Sequence, residues 1–346
     1  MATLWFCLVA FMLAMYVVLD GFDIGVGAIA PLVAKSEEER ELLVRSIGPV
    51  WDGNEVWLLA AGGTLYFAFP ALYAASFSGF YLPLMMVLWM LIGRGTSIEL
   101  RHHVDHGVWR RFWDGIFFVA SLLLAVFYGA ALGNVVRGVP LDANGRFFLP
   151  MWNDMTLGPP SGVLDWYTVV VGVAALAALA LHGTLWLVLK LEGPVEERAR
   201  KLAGRLFWAV VATTALVTVA SFSVQAQILR NLEAWPLGYF FPLLAILGLV
   251  GILLGLRQRK ALGAFLASCL YLGGMLTSVA FGVFPYVLPA RPDAQLGLTA
   301  PGVAAPERGL WIGLAWWIPG MLLAAGYFVY AYRNFAGKVR AEGYEG

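Results

Sequence analysis

The sequence predicts an all-α integral membrane protein of about nine transmembrane helices, with its N-terminus outside and its C-terminus in the cytoplasm. Three observations predict it. Hydrophobic residues make up 60% of the 346 and charged residues only 13%, about half the charge of a soluble domain. Nine stretches approach the roughly 20 apolar residues that a helix needs to cross a bilayer. Basic residues alternate between the connections on the two sides.

Taken in order, the spans fall at about 3–24, 50–69, 73–93, 114–134, 164–189, 204–229, 236–256, 261–283 and 310–332, within one membrane domain covering 1–346. The first span lacks the marks of a cleaved leader. Residues 1–19 hold no Lys or Arg, and the run ends at Asp20 without a small-residue cleavage pattern. Pro49 ahead of Trp51, Asp114 ahead of the fourth run and Pro236 ahead of the seventh are helix-start signals. Pro83 and Pro319 fall inside spans, where they predict kinks. The 14 Trp lie mostly near predicted span ends, as interfacial anchors do, and the 39 Gly suit close helix packing.

The basic residues set the orientation. Eighteen of the 23 Lys and Arg occupy one set of connections: Lys35, Arg40 and Arg45; Arg94, Arg101, Arg110 and Arg111; Lys190, Arg198, Arg200, Lys201 and Arg205; Arg257, Arg259 and Lys260; and the tail Arg333, Lys338 and Arg340. The other set holds five: Arg137, Arg146, Arg230, Arg291 and Arg308. A miscounted span would scramble this alternation, so the basic set faces the cytoplasm. The two longest connections, about 134–163 and 284–309, lie on the outer side and read as ordered caps. A net charge of +1 gives no reason to expect nucleic acid. Cys7 and Cys269 stand in apolar runs without a CxxC spacing, which implies neither a disulfide nor a metal. No P-loop, HExxH, GxSxG or dinucleotide fingerprint stands out.

Ionisable residues at membrane depth are costly and point to function by default. Asp20 and Asp23 are three apart at the end of the first span and share a helix face. Asp52 and Glu55 do the same at the start of the second, with Asn54 beside them. Arg94 ends the third span, followed by Glu99, and supplies a supporting ion pair. Four carboxylates and an arginine are thus expected at the cytoplasmic side of the first three helices. One reading is helix capping, since acids in a first turn complement the helix dipole. The other is proton intake, since close carboxylates in poorly solvated surroundings exchange protons readily.

Histidines matter because membrane haem proteins need axial ligands. His102, His103 and His106 fall in a polar inner loop and read as solvated. His182 lies inside the fifth span and has no histidine partner at comparable depth. A bis-histidine haem site therefore cannot be assembled from this chain. Ligation by His182 opposite a methionine is the weaker reading, and a packed, hydrogen-bonded histidine the stronger.

Two long runs carry a specific likeness: Leu19-Asp20-Gly21-Phe22-Asp23-Ile24-Gly25-Val26-Gly27 and Pro49-Val50-Trp51-Asp52-Gly53-Asn54-Glu55-Val56-Trp57-Leu58. With Ala61-Gly62-Gly63, Phe69 to Ala74, Phe77 to Tyr81 and Gly133 to Pro140, they closely resemble subunit II of cytochrome bd-type quinol oxidases. The later spans match by count and hydropathy alone. The resemblance implies two four-helix bundles plus one peripheral helix, in a bacterial-type plasma membrane. It implies an enzyme complex that oxidises quinol and reduces dioxygen to water. Haem b and haem d would sit in the partner subunit I, with none in this chain. It leaves room for a structural quinone or lipid and for a small single-helix subunit. Asp52 matches the family acid implicated in a cytoplasmic proton route, and Asp20 and Asp23 match its D-G-F-D motif. Where the family has Gln or Glu after the Asn, this chain has Glu55, which adds a carboxylate. The competing reading is a secondary transporter or channel with an acid-lined cytoplasmic path. No clear internal repeat supports it.

Overall fold

A computed structural model describes residues 1–158, 161–340 and 343–344, the side chains of Arg340, Gly343 and Tyr344 excepted. Helices dominate: α1 (Ala2–Val33), α2 (Glu37–Ile47), α3 (Trp51–Ala68), α4 (Pro70–Gly79), α5 (Tyr81–Leu100), α6 (Gly107–Arg137), α7 (Trp166–Lys190), α8 (Gly193–Val224), α9 (Ala226–Ala234), α10 (Phe240–Arg257), α11 (Ala261–Val283), α12 (Ala300–Val303) and α13 (Glu307–Asn334). Two short antiparallel ladders complete it: β1 (Tyr286–Leu288) with β2 (Leu298–Thr299), and β3 (Val339–Arg340) with β4 (Gly343–Tyr344).

Among the described residues, eight helices are long and apolar enough to cross a membrane. The second expected span, α3, falls short in apolarity because its first turns carry Asp52, Asn54 and Glu55. The chain is an all-α, multi-pass membrane protein. Helices α1, α3, α5 and α6 pack as one group, and α7, α8, α10 and α11 as another. Helices α1 and α6 join them, α1 by lying against both α7 and α11 and α6 by lying along α7. Helix α13 rests on the outside, touching α1 and α3 through Trp317, Phe328 and Tyr332.

Close packing at the centre depends on glycine. A Cβ on Gly25 would stand 2.0 Å from the Leu179 carbonyl oxygen, and one on Gly183 would stand 2.4 Å from the Gly25 backbone. Helices α1 and α7 therefore touch backbone to backbone, as small-residue membrane interfaces do. The middle of α7, Ala178 to Val188, is buried without interruption.

Several expectations need correcting. The first span does not stop near Gly25, because α1 runs on from Asp23 to Val33 for about 15 Å more. Its remaining residues are apolar, and Arg94 offsets the acids that suggested an end. The third span is shifted: α4 closes at Gly79, and α5 continues past Arg94 to Leu100. Pro83 sits in the first turn of α5, where an amide N–H is not needed, and so starts a helix instead of kinking one. Asp114 is no helix start either, since α6 begins at Gly107 with His106 as its cap.

The long connections are ordered by each other. The Val139 amide donates to the Pro289 carbonyl at 3.0 Å, and the Arg291 amide returns to the Val139 carbonyl at 2.9 Å. At the basic end, α2 lies as an amphipathic helix with a full capping box from Ser36 and Glu39. The tail is pinned there too, with Lys338 donating to the carbonyls of Leu191 at 2.7 Å and Val188 at 3.2 Å.

Candidate functional site

The D-G-F-D-I-G run splits its duties between two faces of α1. At 100° per residue, Asp20 and Asp23 point roughly 150° away from Gly21 and Gly25. The glycines admit α7, and the aspartates turn towards α3 and α5. Both aspartates are fully buried.

Arg94 reaches in from α5, also with no exposed surface. Its Nη1 donates to Asp20 Oδ1 at 2.7 Å and its Nη2 to Glu55 Oε2 at 2.9 Å. Asn54 donates to Asp23 Oδ2 at 2.7 Å, and Tyr332 of α13 donates to Asn54 Oδ1 at 2.9 Å. One helical turn further along α1, the hydroxyls of Tyr16 and Tyr128 meet at 2.7 Å. The result is a polar cluster in the interior of the first helix group. Asp20 Oδ2, Asp23 Oδ1 and Arg94 Nε are buried without a hydrogen-bond partner among the described residues.

Three carboxyl groups here face one guanidinium. Full ionisation would leave two negative charges in excess where water is scarce, which is costly. The cluster's least buried carboxyl is Glu55, whose side chain is 24% exposed. Asp52, one turn earlier on α3, is exposed and occupies the first turn where an acid suits the helix dipole.

The structure thus brings together Asp20, Asp23, Glu55 and Arg94 of the residues expected from sequence, and leaves Asp52 outside them. The expected pairing of Arg94 with Glu99 does not form. Five residues along a helix is a rotation of roughly 140°, so Glu99 points out while Arg94 points in. Asn54 was legible only as a neighbour of the acids, and Tyr332, Tyr16 and Tyr128 not at all. A hydroxyl in an apolar run gives no periodic signal.

Two further ionic clusters are structural in position. Arg101, 2% exposed, donates to Glu37 at 2.6 Å and Glu41 at 2.7 Å on α2, and to Asp114 at 2.7 Å on α6. It clasps α2 onto the membrane helices. At the opposite end, buried Arg137 bonds Asp165, the cap of α7, and donates to Asn134 Oδ1 at 2.6 Å and the Gly162 carbonyl at 3.1 Å. The Gly133-to-Pro140 motif is therefore a latch on the connection between α6 and α7.

His182 does not fit a haem. Its ring is fully buried, stacked on Phe265 at a 6° angle, and both nitrogens are engaged. The Val18 carbonyl can only accept, so Nε2 carries the hydrogen at 2.9 Å. Nδ1 lies 2.7 Å from the Ser268 hydroxyl oxygen, which also stands 2.6 Å from the Phe265 carbonyl. Both nitrogens thus face protein groups and not an open coordination position. His102, His103 and His106 are exposed at the basic end. Cys7 and Cys269 are free thiols. An apolar chamber of about 380 Å³ opens between α1, α4, α5, α6 and α11, lined by residues such as Leu13, Phe69, Phe80, Val87 and Leu276.

Comparison with known proteins gives a consistent result. Residues 1–335 match the family described as cytochrome bd terminal oxidase subunit II. A probable cytochrome oxidase subunit 2 of Haemophilus influenzae is 30% identical over 98% of this chain and 95% of its own length. The cytochrome bd ubiquinol oxidase subunit 2 of Bacillus subtilis is 30% identical over 89% of this chain and 87% of its own. The cytochrome bd-I ubiquinol oxidase subunit 2 of Escherichia coli K12 is 28% identical over 99% and 96%. A chain in the structure of bd oxidase from Geobacillus thermodenitrificans superposes with a TM-score of 0.76 at 18% identity, covering 96% of this chain and 98% of that one, and so shares the fold.

Proposed function

The chain belongs to the cytochrome bd terminal oxidase subunit II family, and on that premise we propose that it is the haem-free partner of a haem-bearing subunit I. Together they form a quinol:oxygen oxidoreductase in the bacterial inner membrane. Its helices cross nine times, α3 included, with the N-terminus outside and the basic end in the cytoplasm. The relatives' names supply the quinol chemistry. Family membership also displaces the transporter reading.

In this reading the haems, b and d, reside in subunit I, where they carry electrons and reduce dioxygen. This chain holds subunit I in place and feeds it protons. Asp52 collects them at the cytoplasmic face. Glu55 receives them at the mouth of the buried cluster. Arg94 keeps Glu55 and Asp20 within one hydrogen-bonded unit, and Asn54 and Asp23 extend it inwards. The observation that carries this reading is the Glu55–Arg94–Asp20 chain, which runs from a part-exposed carboxyl to a fully buried one. The apolar chamber suits the hydrocarbon tail of a lipid or quinone.

The test is a visible absorption spectrum of the chain with and without its co-purifying partners. Haem bands in the complex and none in the isolated chain support the reading. Haem bands in the isolated chain overturn it.

A further inference from the structure

At the basic end, the C-terminus of α2, the start of α3 and the end of α5 enclose a water-accessible basin of about 560 Å³. Arg45, Gly48, Trp51, Glu99, His102 and His103 line it. Its floor is Trp51, whose ring lies so close to Gly95 that a Cβ there would be 3.3 Å away. Trp51 is one turn before Glu55 on α3, and Gly95 adjoins Arg94 on α5. The basin and the Glu55–Arg94 pair thus belong to neighbouring turns of the same two helices.

We propose that this basin is the proton-collecting mouth of the route through Glu55, with His102 and His103 as its exchangeable carriers. The proposal rests on the proton-feeding role assigned above and names the residues that supply it. Histidine is the side chain whose ordinary titration lies nearest neutral pH, so a pair of them beside carboxylates can trade protons with water at high turnover. The geometry fits that use. His103 Nδ1 lies 3.1 Å from the Glu99 carbonyl, which only accepts, so Nδ1 donates to it. His102 Nδ1 lies 3.5 Å from Glu41 Oε2, and both rings are exposed. The charged groups around them are Glu41 and Arg45 on α2, Glu99 on α5, Arg101 following it, and Asp52 next to Trp51. Glu41 is held by Arg45 at 2.8 Å and Arg101 at 2.7 Å, whereas Glu99 and Asp52 make no ion pair among the described residues. Glu99, set aside above as a partner of Arg94, thus takes its place here.

The test uses the assembled oxidase in weakly buffered medium above neutral pH, where free protons are scarce. The double variant His102→Asn with His103→Asn is compared with the parent and with Glu55→Gln, each matched for haem content. Proton uptake coupled to dioxygen reduction should fall about tenfold in the double variant, and added imidazole buffer should restore it. A structural lesion would not respond to imidazole, so slowing without rescue overturns the proposal. Unchanged uptake in the double variant, with Glu55→Gln slowed, overturns the basin alone. Unchanged uptake in Glu55→Gln overturns the route and the basin with it.

Discussion

Arg94 and Asp20 form a fully buried ion pair at 2.7 Å between α5 and α1. Neither side chain has exposed surface, so the pair has no water to fall back on. Breaking a buried pair by removing one partner costs about 3–5 kcal/mol, because the other charge is stranded. Arg94→Met is therefore expected to prevent accumulation of an assembled, haem-bearing complex. Arg94→Lys keeps the charge but cannot bond Asp20 and Glu55 together, and assembles at reduced yield. Yield and thermal midpoint of the purified complex check both.

The clasp made by Arg101 predicts a local effect. Arg101→Ala removes two charge-assisted hydrogen bonds that hold α2, to Glu37 and Glu41, and a third to Asp114 on α6, at about 1.5–3 kcal/mol for each buried contact and less where the carboxylates meet water. Helix α2 should loosen while the spans stay intact. Limited proteolysis at the connections flanking α2 should quicken in the variant, and high salt should quicken it further.

Acid should loosen the same helix. Burial alone would push the Glu39 carboxyl up, but bonds from the Arg198 guanidinium and from the Lys35 and Ser36 amides outweigh it and hold the group below its ordinary range. A carboxyl lowered in the folded state contributes stability above its unfolded value, about 4.3, and loses it as pH falls through the folded value. Docking of α2 should therefore be unaffected at neutral pH and weaken only below about pH 4.3. Glu39→Gln should remove that acid dependence. Amide hydrogen exchange over 37–47 as a function of pH measures it.

His182→Gln should leave the haem spectrum of the assembled complex unchanged, since both ring nitrogens already serve Val18 and Ser268. The expected loss is in stability, about 1–3 kcal/mol for the groups left unsatisfied. Disappearance of a haem band would contradict this account of the ring.

How much of this was legible in the sequence depended on the signal each residue carries. Apolar length located the spans, and α11 begins and ends at Ala261 and Val283 as expected. Polarity misled at the ends: Asp23 and Arg94 looked like boundaries because the partners that let them stay buried lie on other helices. Periodicity put Asp20 and Asp23 on one face, and the structure uses that face. It could not say that Asp52 and Glu55, also three apart, would separate into solvent and cluster. That depends on how α3 is rotated against α1, which all-apolar faces leave unspecified. Tyr332 acts across 278 positions of chain and Arg101 across 60, and no local pattern announces such contacts.

The central claim is that protons reach the oxidase through the cluster opened by Glu55. The most direct measurement is dioxygen consumption by the assembled complex carrying Glu55→Gln, with Asp52→Asn alongside and haem content verified for both. The amide keeps a hydrogen-bonding group opposite Arg94 but cannot carry a proton. Glu55→Gln should slow turnover by at least about tenfold, and Asp52→Asn, which sits in solvent, by less. Full turnover in a Glu55→Gln complex with intact haem bands would contradict the account.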